Sequence, residues 1–155
     1  MQFLEKQFFM VENLLSYKAR VDSRDLNDML LYVERNLDAL ELELTGNTIL
    51  NVSEVILEES KRIFGIEVLF PINKPFESQG QCIYKPVFKL ENAVMSRFYS
   101  GYHEIPDIKE QMLLYVKQNN MQPATDVYYV IQRNLNNNVP DKVFDAYIAV
   151  NSNIV

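Results

Sequence analysis

Met29-Leu30-Leu31-Tyr32-Val33 recurs without change as Met112-Leu113-Leu114-Tyr115-Val116, and each copy runs on through two polar residues to an asparagine, Asn36 or Asn119. The surroundings of both copies supply a helix. Asp22-Ser23 offers an N-cap with acidic residues in the first turn, and Leu26, Met29, Leu30, Val33 and Leu37 share one apolar face, which predicts a first helix ending before Gly46. In the second copy Pro106 and Asp107 suit a first turn, Ile108, Met112, Tyr115 and Val116 make the stripe, and Pro123 closes it.

Strand-like runs rich in aromatic and β-branched residues lie on both sides of each helix. One precedes the first helix, from Phe8 to Val21, and two follow it, from Thr48 to Leu57 and from Ile63 to Phe70. The second helix is preceded by the run from Pro86 to Tyr102 and followed by those from Val127 to Arg133 and from Lys142 to Val150. Strand, helix, strand, strand therefore occurs twice, about residues 1–72 and 84–155 of a single 155-residue domain. The residues between, Pro71 to Gly80, carry turn formers without periodicity and read as a linker, and Asn134 to Pro140 reads as a solvated hairpin turn. The fold class expected is α+β: tandem β-α-β-β units forming one antiparallel sheet, two helices on one face and a groove on the other.

Composition narrows the function. With 48% hydrophobic and 23% charged residues the chain can form an ordinary core without a disulfide or metal staple. A net charge of -6 gives no electrostatic footprint for a phosphate backbone, so direct nucleic-acid binding is not expected. Cys82 stands alone, reads as a small semi-buried apolar residue, and suits a reducing, cytoplasmic compartment. The first fifteen residues contain Glu5 and Glu12 and do not read as a signal peptide, and no apolar run is long enough for a membrane span. His103 is the only histidine and reads as a surface residue, so neither a Ser/His/Asp set nor a zinc site is expected, and no glycine-rich phosphate loop or cofactor site is evident.

Strand alternation picks out the groove residues. Phe144, Ala146, Ile148 and Val150 share an apolar face fit to pack under helices, which turns Asp145 and Tyr147 toward the groove. Phe64 to Phe70 aligns with Phe144 to Val150 without a gap and turns Glu67 the same way. Two carboxylates, one from each repeat, would then stand in a neighbourhood supplied with Tyr17, Tyr99, Tyr102 and Tyr129, a combination fit for a cationic or amphipathic guest. The other reading is that Glu67 and Asp145 point to water from an exposed sheet face.

Phe98-Tyr99-Ser100-Gly101-Tyr102, Ile105-Pro106, the helix through the repeated pentapeptide and the closing Phe144-Asp145-Ala146-Tyr147-Ile148-Ala149-Val150 form a pattern. It resembles the GyrI-like effector-binding domain, which also serves as the C-terminal drug-sensing part of AraC-type and MerR-type regulators. By element order the resemblance spans nearly the whole chain, and its motifs are sharp from about Ala93 onward. It implies a duplicated fold with an aromatic-walled cleft in which an acid of the final strand faces bound cations, a position held here by Asp145 with Tyr147 matching the family's tyrosine. The acid is Asp where the family pattern has Glu, Ala149 stands where Pro is usual, and Ser100-Gly101 replaces the commoner Gly followed by Pro or Ser.

Three functions stay open at this point. The first is a stand-alone small-molecule-binding domain, with no helix-turn-helix of its own. The second is a protein-interaction module, an inhibitor or chaperone with an acidic surface and a tyrosine-rich face. The third is a small hydrolase using Glu67 or Asp145 as a base beside a cleft tyrosine, which the resemblance also implies for some family members.

Overall fold

Both copies of the pentapeptide are helical. The computed structural model describes residues 2–132 and 142–152, and places the copies in α1 (Leu26–Arg35) and α2 (Ile105–Gln118). α1 buries Leu26, Leu30 and Val33, while α2 buries Ile105, Ile108, Met112 and Val116. The same five residues are thus packed through slightly different faces, the second and fifth in α1 and the first and fifth in α2. The asparagine after each copy acts as a C-terminal cap: Asn36 Nδ2 donates to the Tyr32 carbonyl at 2.7 Å, and Asn119 Nδ2 to the Tyr115 carbonyl at 2.8 Å.

The first helix is shorter than its pattern predicts. Asp22 caps a 3₁₀ turn, Ser23–Asp25, by accepting from the Arg24 amide at 3.0 Å, and α1 begins only after it. Beyond Arg35 the chain tightens into a second 3₁₀ stretch, Asn36–Leu40, which ends where Glu41 turns left-handed at φ 57°. Leu37 stays buried there, so the apolar periodicity outlasts the α-helical geometry.

Among the described residues seven strands accompany the helices: β1 (Phe3–Asp22), β2 (Ile49–Glu58), β3 (Lys61–Pro71), β4 (Cys82–Ser100), β5 (Met121–Pro123), β6 (Tyr128–Ile131) and β7 (Lys142–Ser152). Their ladders are antiparallel, so the architecture is the expected α+β class, with two α helices among the described residues. The chain divides into two compact units, Val11–Phe88 and Met1–Met10 with Lys89–Val155. These differ from the repeat limits read from sequence, since the start of β1 belongs with the later residues and the start of β4 with the earlier ones. In the Val11–Phe88 unit β3 pairs with both β1 and β2; in the other, β7 pairs with β4, β5 and β6. Pro123, read as a helix terminator, instead ends the short strand β5 opposite Val150, a position where the missing donor is tolerated. The 71–80 segment is largely loop and closes with Gly80 at φ 58°, while the predicted Asn134 to Pro140 turn lies outside the described residues.

Each of the two long strands contains a left-handed asparagine, and β1 has a second left-handed residue, Lys6 at φ 58°. Asn13 in β1 and Asn92 in β4 are left-handed, at φ 59° and 51°, a conformation Asn tolerates better than most residues. The β1–β3 ladder begins at Leu14 and the β4–β7 ladder at Ala93, each directly after its asparagine. The two side chains are anchored, Asn13 Oδ1 accepting from Tyr84 at 2.5 Å and Asn92 Nδ2 donating to the Val150 carbonyl at 3.0 Å. The two asparagines thus hold matching places, each at the start of a ladder.

Leu14, Leu26, Leu50, Phe64 and Phe70 make the core of the Val11–Phe88 unit, and Ile105, Met112, Tyr129 and Phe144 that of the other. Among the described residues no helix is long and apolar enough to cross a membrane. Tyr129 is 1% exposed, and its buried hydroxyl has no hydrogen-bond partner among the described residues. An unsatisfied buried hydroxyl costs about 1–3 kcal/mol. Tyr129→Phe should therefore leave the urea-unfolding free energy unchanged or raise it, and a loss comparable to a core truncation would show that the hydroxyl has a partner.

Candidate functional site

β7 carries the acid singled out from sequence. Asp145 lies opposite Arg97 of β4 and Val130 of β6, so the three project from the same face of the sheet. Its carboxylate is not waiting for a guest. Arg97 Nε donates to Oδ1 at 2.7 Å and Arg97 Nη2 to Oδ2 at 3.0 Å, a two-pronged charge-assisted pair, and Gln132 Nε2 donates to Oδ2 at 2.8 Å. Asp145 is 4% exposed whereas the Arg97 side chain is 43% exposed. The acid is thus fixed in the sheet while the guanidinium reaches it from the solvent side. Hydrogen bonding to Asp145 drives the Arg97 pKa further above its already high value.

Tyr147 follows two residues later on that face, opposite Met95 and Tyr128, with the Phe9 ring at 5.0 Å. Burial raises the Tyr147 pKa and the Asp145 charge adds to it, so the phenol stays a neutral donor. Tyr99 pairs with Val143, shares the Asp145 face, and is 67% exposed. With Arg97, Phe98, Ser100 and residues of the start of α2 it lines a cavity of about 400 Å³.

The other tyrosines singled out from sequence project elsewhere. Tyr129 pairs with Ala146, and its ring lies 6.5 Å from Phe144, so it belongs to the apolar face of β7. Tyr102, in the 3₁₀ turn before α2, packs on the same Phe144 ring at 5.5 Å. Tyr17 pairs with Val68 and so shares the face that Glu67 does not. The reason is the two-residue period of a strand: Tyr128, not Tyr129, accompanies Tyr147.

Glu67 belongs to the Val11–Phe88 unit, opposite Lys18 of β1 and Asn51 of β2. Its Oε2 accepts from Ser16 Oγ at 2.6 Å and from Lys85 Nζ at 2.8 Å. Burial by itself raises the Glu67 pKa; the bonds from Lys85 and Ser16, with the charges of Lys85 and Lys18, outweigh it and the pKa is lowered overall. A cavity of about 310 Å³ opens beside it.

Sequence reading missed Arg97, Gln132, Ser16 and Lys85, the groups that tie up the two acids. Arg97 carried a signal, being the one charge inside Ala93 to Tyr99. Its pairing with Asp145 depends on register, which no local pattern supplies. Among the described residues no cluster of His, Cys, Asp and Glu is arranged to hold a metal.

The fold resembles that of the EcmrR C-terminal domain. The superposition covers 99% of this chain and 100% of that domain at 12% identity, with a TM-score of 0.69. EcmrR in its complex with DNA matches over 97% of this chain at 12% identity and TM-score 0.68, and the match spans 58% of the longer EcmrR chain. A hydrolase from Listeria innocua is more distant, with 9% identity, TM-score 0.51, and coverage of 94% of this chain and 91% of its own. No family model matches the chain, and no curated protein matches it in sequence. At 12% identity the likeness to EcmrR speaks for the fold.

Removing Arg97 strands a buried carboxylate with Gln132 alone. Arg97→Ala should lower the unfolding free energy by about 1–3 kcal/mol, and Arg97→Lys should restore only part, because an ammonium cannot match both oxygens. For Glu67 the sign follows from its lowered pKa: the unfolded chain takes up the proton more readily. The stability it contributes is complete above its ordinary value of 4.5 and is lost as pH falls through the folded pKa. Glu67→Gln should therefore flatten the fall of stability below about pH 5, and an unchanged slope in acid unfolding curves would contradict this.

Proposed function

We propose that the chain is a small-molecule-binding domain of the GyrI-like kind, whose guest is recognised around Asp145, Tyr147 and Tyr99. The observation carrying this reading is a carboxylate almost removed from water on the last strand, at the position where the resemblance puts a ligand-facing acid. A buried carboxylate is costly unless paired, and Arg97 is the partner here. The fold likeness to the EcmrR C-terminal domain over the full chain supports the same reading.

The Arg97 guanidinium stands where a cationic guest would stand. Because its side chain is nearly half exposed, it can swing into water and give up Asp145 to an incoming cation. Binding is then an exchange of one cation for another, and weaker by the strength of the internal pair. Tyr147 supplies a neutral ring and hydroxyl alongside, and Tyr99 an exposed ring fit for stacking on a flat guest.

The hydrolase alternative has less in its favour. A general base near neutral pH needs a raised carboxylate pKa, whereas Glu67 is shifted downward and Asp145 has both oxygens engaged. Thermal-shift titration with cationic aromatic dyes tests the binding reading. Saturation at a hundred times the dissociation constant stabilises by about 2.7 kcal/mol. Arg97→Gln should tighten dye binding and Asp145→Asn should abolish it. Absence of any dye effect on both the native chain and Arg97→Gln would refute the proposal.

A further inference from the structure

We infer that the cavity beside Glu67 is a second binding site, for a small organic monoanion: a carboxylate with a short apolar body, seated on Lys18 and Lys85. It lies wholly within the Val11–Phe88 unit, is lined by Ser16, Lys18, Glu67, Gln81, Ile83 and Lys85, and has a volume of about 310 Å³. That is the lower end of the range for ligand pockets, which favours a compact guest.

The charges of the lining decide the sign of the ligand. Glu67 and Lys85 neutralise one another across 2.8 Å, leaving Lys18 as the net charge. Lys18 lies opposite Glu67 in the β1–β3 ladder and makes no ion pair among the described residues. The Lys85 ammonium has three donors and gives one to Glu67, so the others can meet an acceptor. Ser16, 2% exposed, spends its hydrogen on the same Glu67 oxygen. Glu67 is thereby the post that holds Lys85 in place, and a cationic guest would meet two ammonium groups. Ile83, 45% exposed on this rim, offers apolar surface to the body of the guest. A positively charged hollow on a chain of net charge -6 is a local departure from the surrounding field.

The test titrates benzoate into the isotope-labelled full chain and follows backbone amide shifts and Tm, with benzylammonium as a probe of the same ring and opposite charge. Benzoate should move the amides of Ser16, Lys18 and Ile83 saturably and raise Tm, and Lys18→Gln should weaken it about three- to fivefold, the worth of an exposed charge pair. Lys18 is exposed, so the unliganded Tm of that variant should fall by no more than the small worth of an exposed charge pair. Benzylammonium moving these amides as strongly, benzoate moving none of them, or Lys18→Gln binding benzoate as tightly as the native chain would each overturn the inference. These readouts are at residues other than Asp145 and Arg97, so this site and the dye site can fail separately.

Discussion

An antiparallel ladder gives each side chain the face of its cross-strand partner, and the chemistry of this protein depends on that constraint. Asp145 is buried because its neighbours in β7, Phe144 and Ala146, belong to the core. It is tolerable because the ladder puts Arg97 directly across from it. One residue of slip in β4 would bring Ser96 or Phe98 opposite and leave the acid without a cation. Register is therefore fixed by electrostatics as well as by apolar packing.

Both units meet the same problem with different chemistry. In one, an aspartate is gripped at two points by a planar guanidinium; in the other, a glutamate is shared by an ammonium and a hydroxyl. The first arrangement is directional and leaves little of the carboxylate for a guest. The second places a point charge at the rim of a hollow and spends one of its three donors on the acid. A few polar residues thus make the two hollows unlike.

Much of the frame was legible in the sequence because helices and strands are written locally. The repeated pentapeptide, its trailing asparagines and the alternation in β3 and β7 predicted the order of elements, and the asparagine caps explain why that residue recurs. Helix ends were less legible: the apolar spacing continues through Leu37 although the α-helix stops at Arg35. Of the candidate polar clusters, only the two acids were singled out in the sequence. Their partners, Arg97, Gln132, Ser16 and Lys85, come from other strands or loops, and which tyrosines accompany them depends on parity that shifts with a single residue of register. Tyr128 and Tyr129 are adjacent in sequence and project from opposite faces.

Fold likeness at 12% identity to the EcmrR C-terminal domain is compatible with a site of its own. A sheet covered by helices needs apolar residues of about the right size in the right period, and many sequences satisfy that. Recognition instead rests on a handful of polar atoms whose pairing cannot be averaged over the chain. An internal arginine on the buried acid changes what that acid can do without disturbing one backbone hydrogen bond. In the proposed binding mode an incoming cation would compete with the protein's own arginine, so affinity would be set by the difference between two ion pairs rather than by the strength of either.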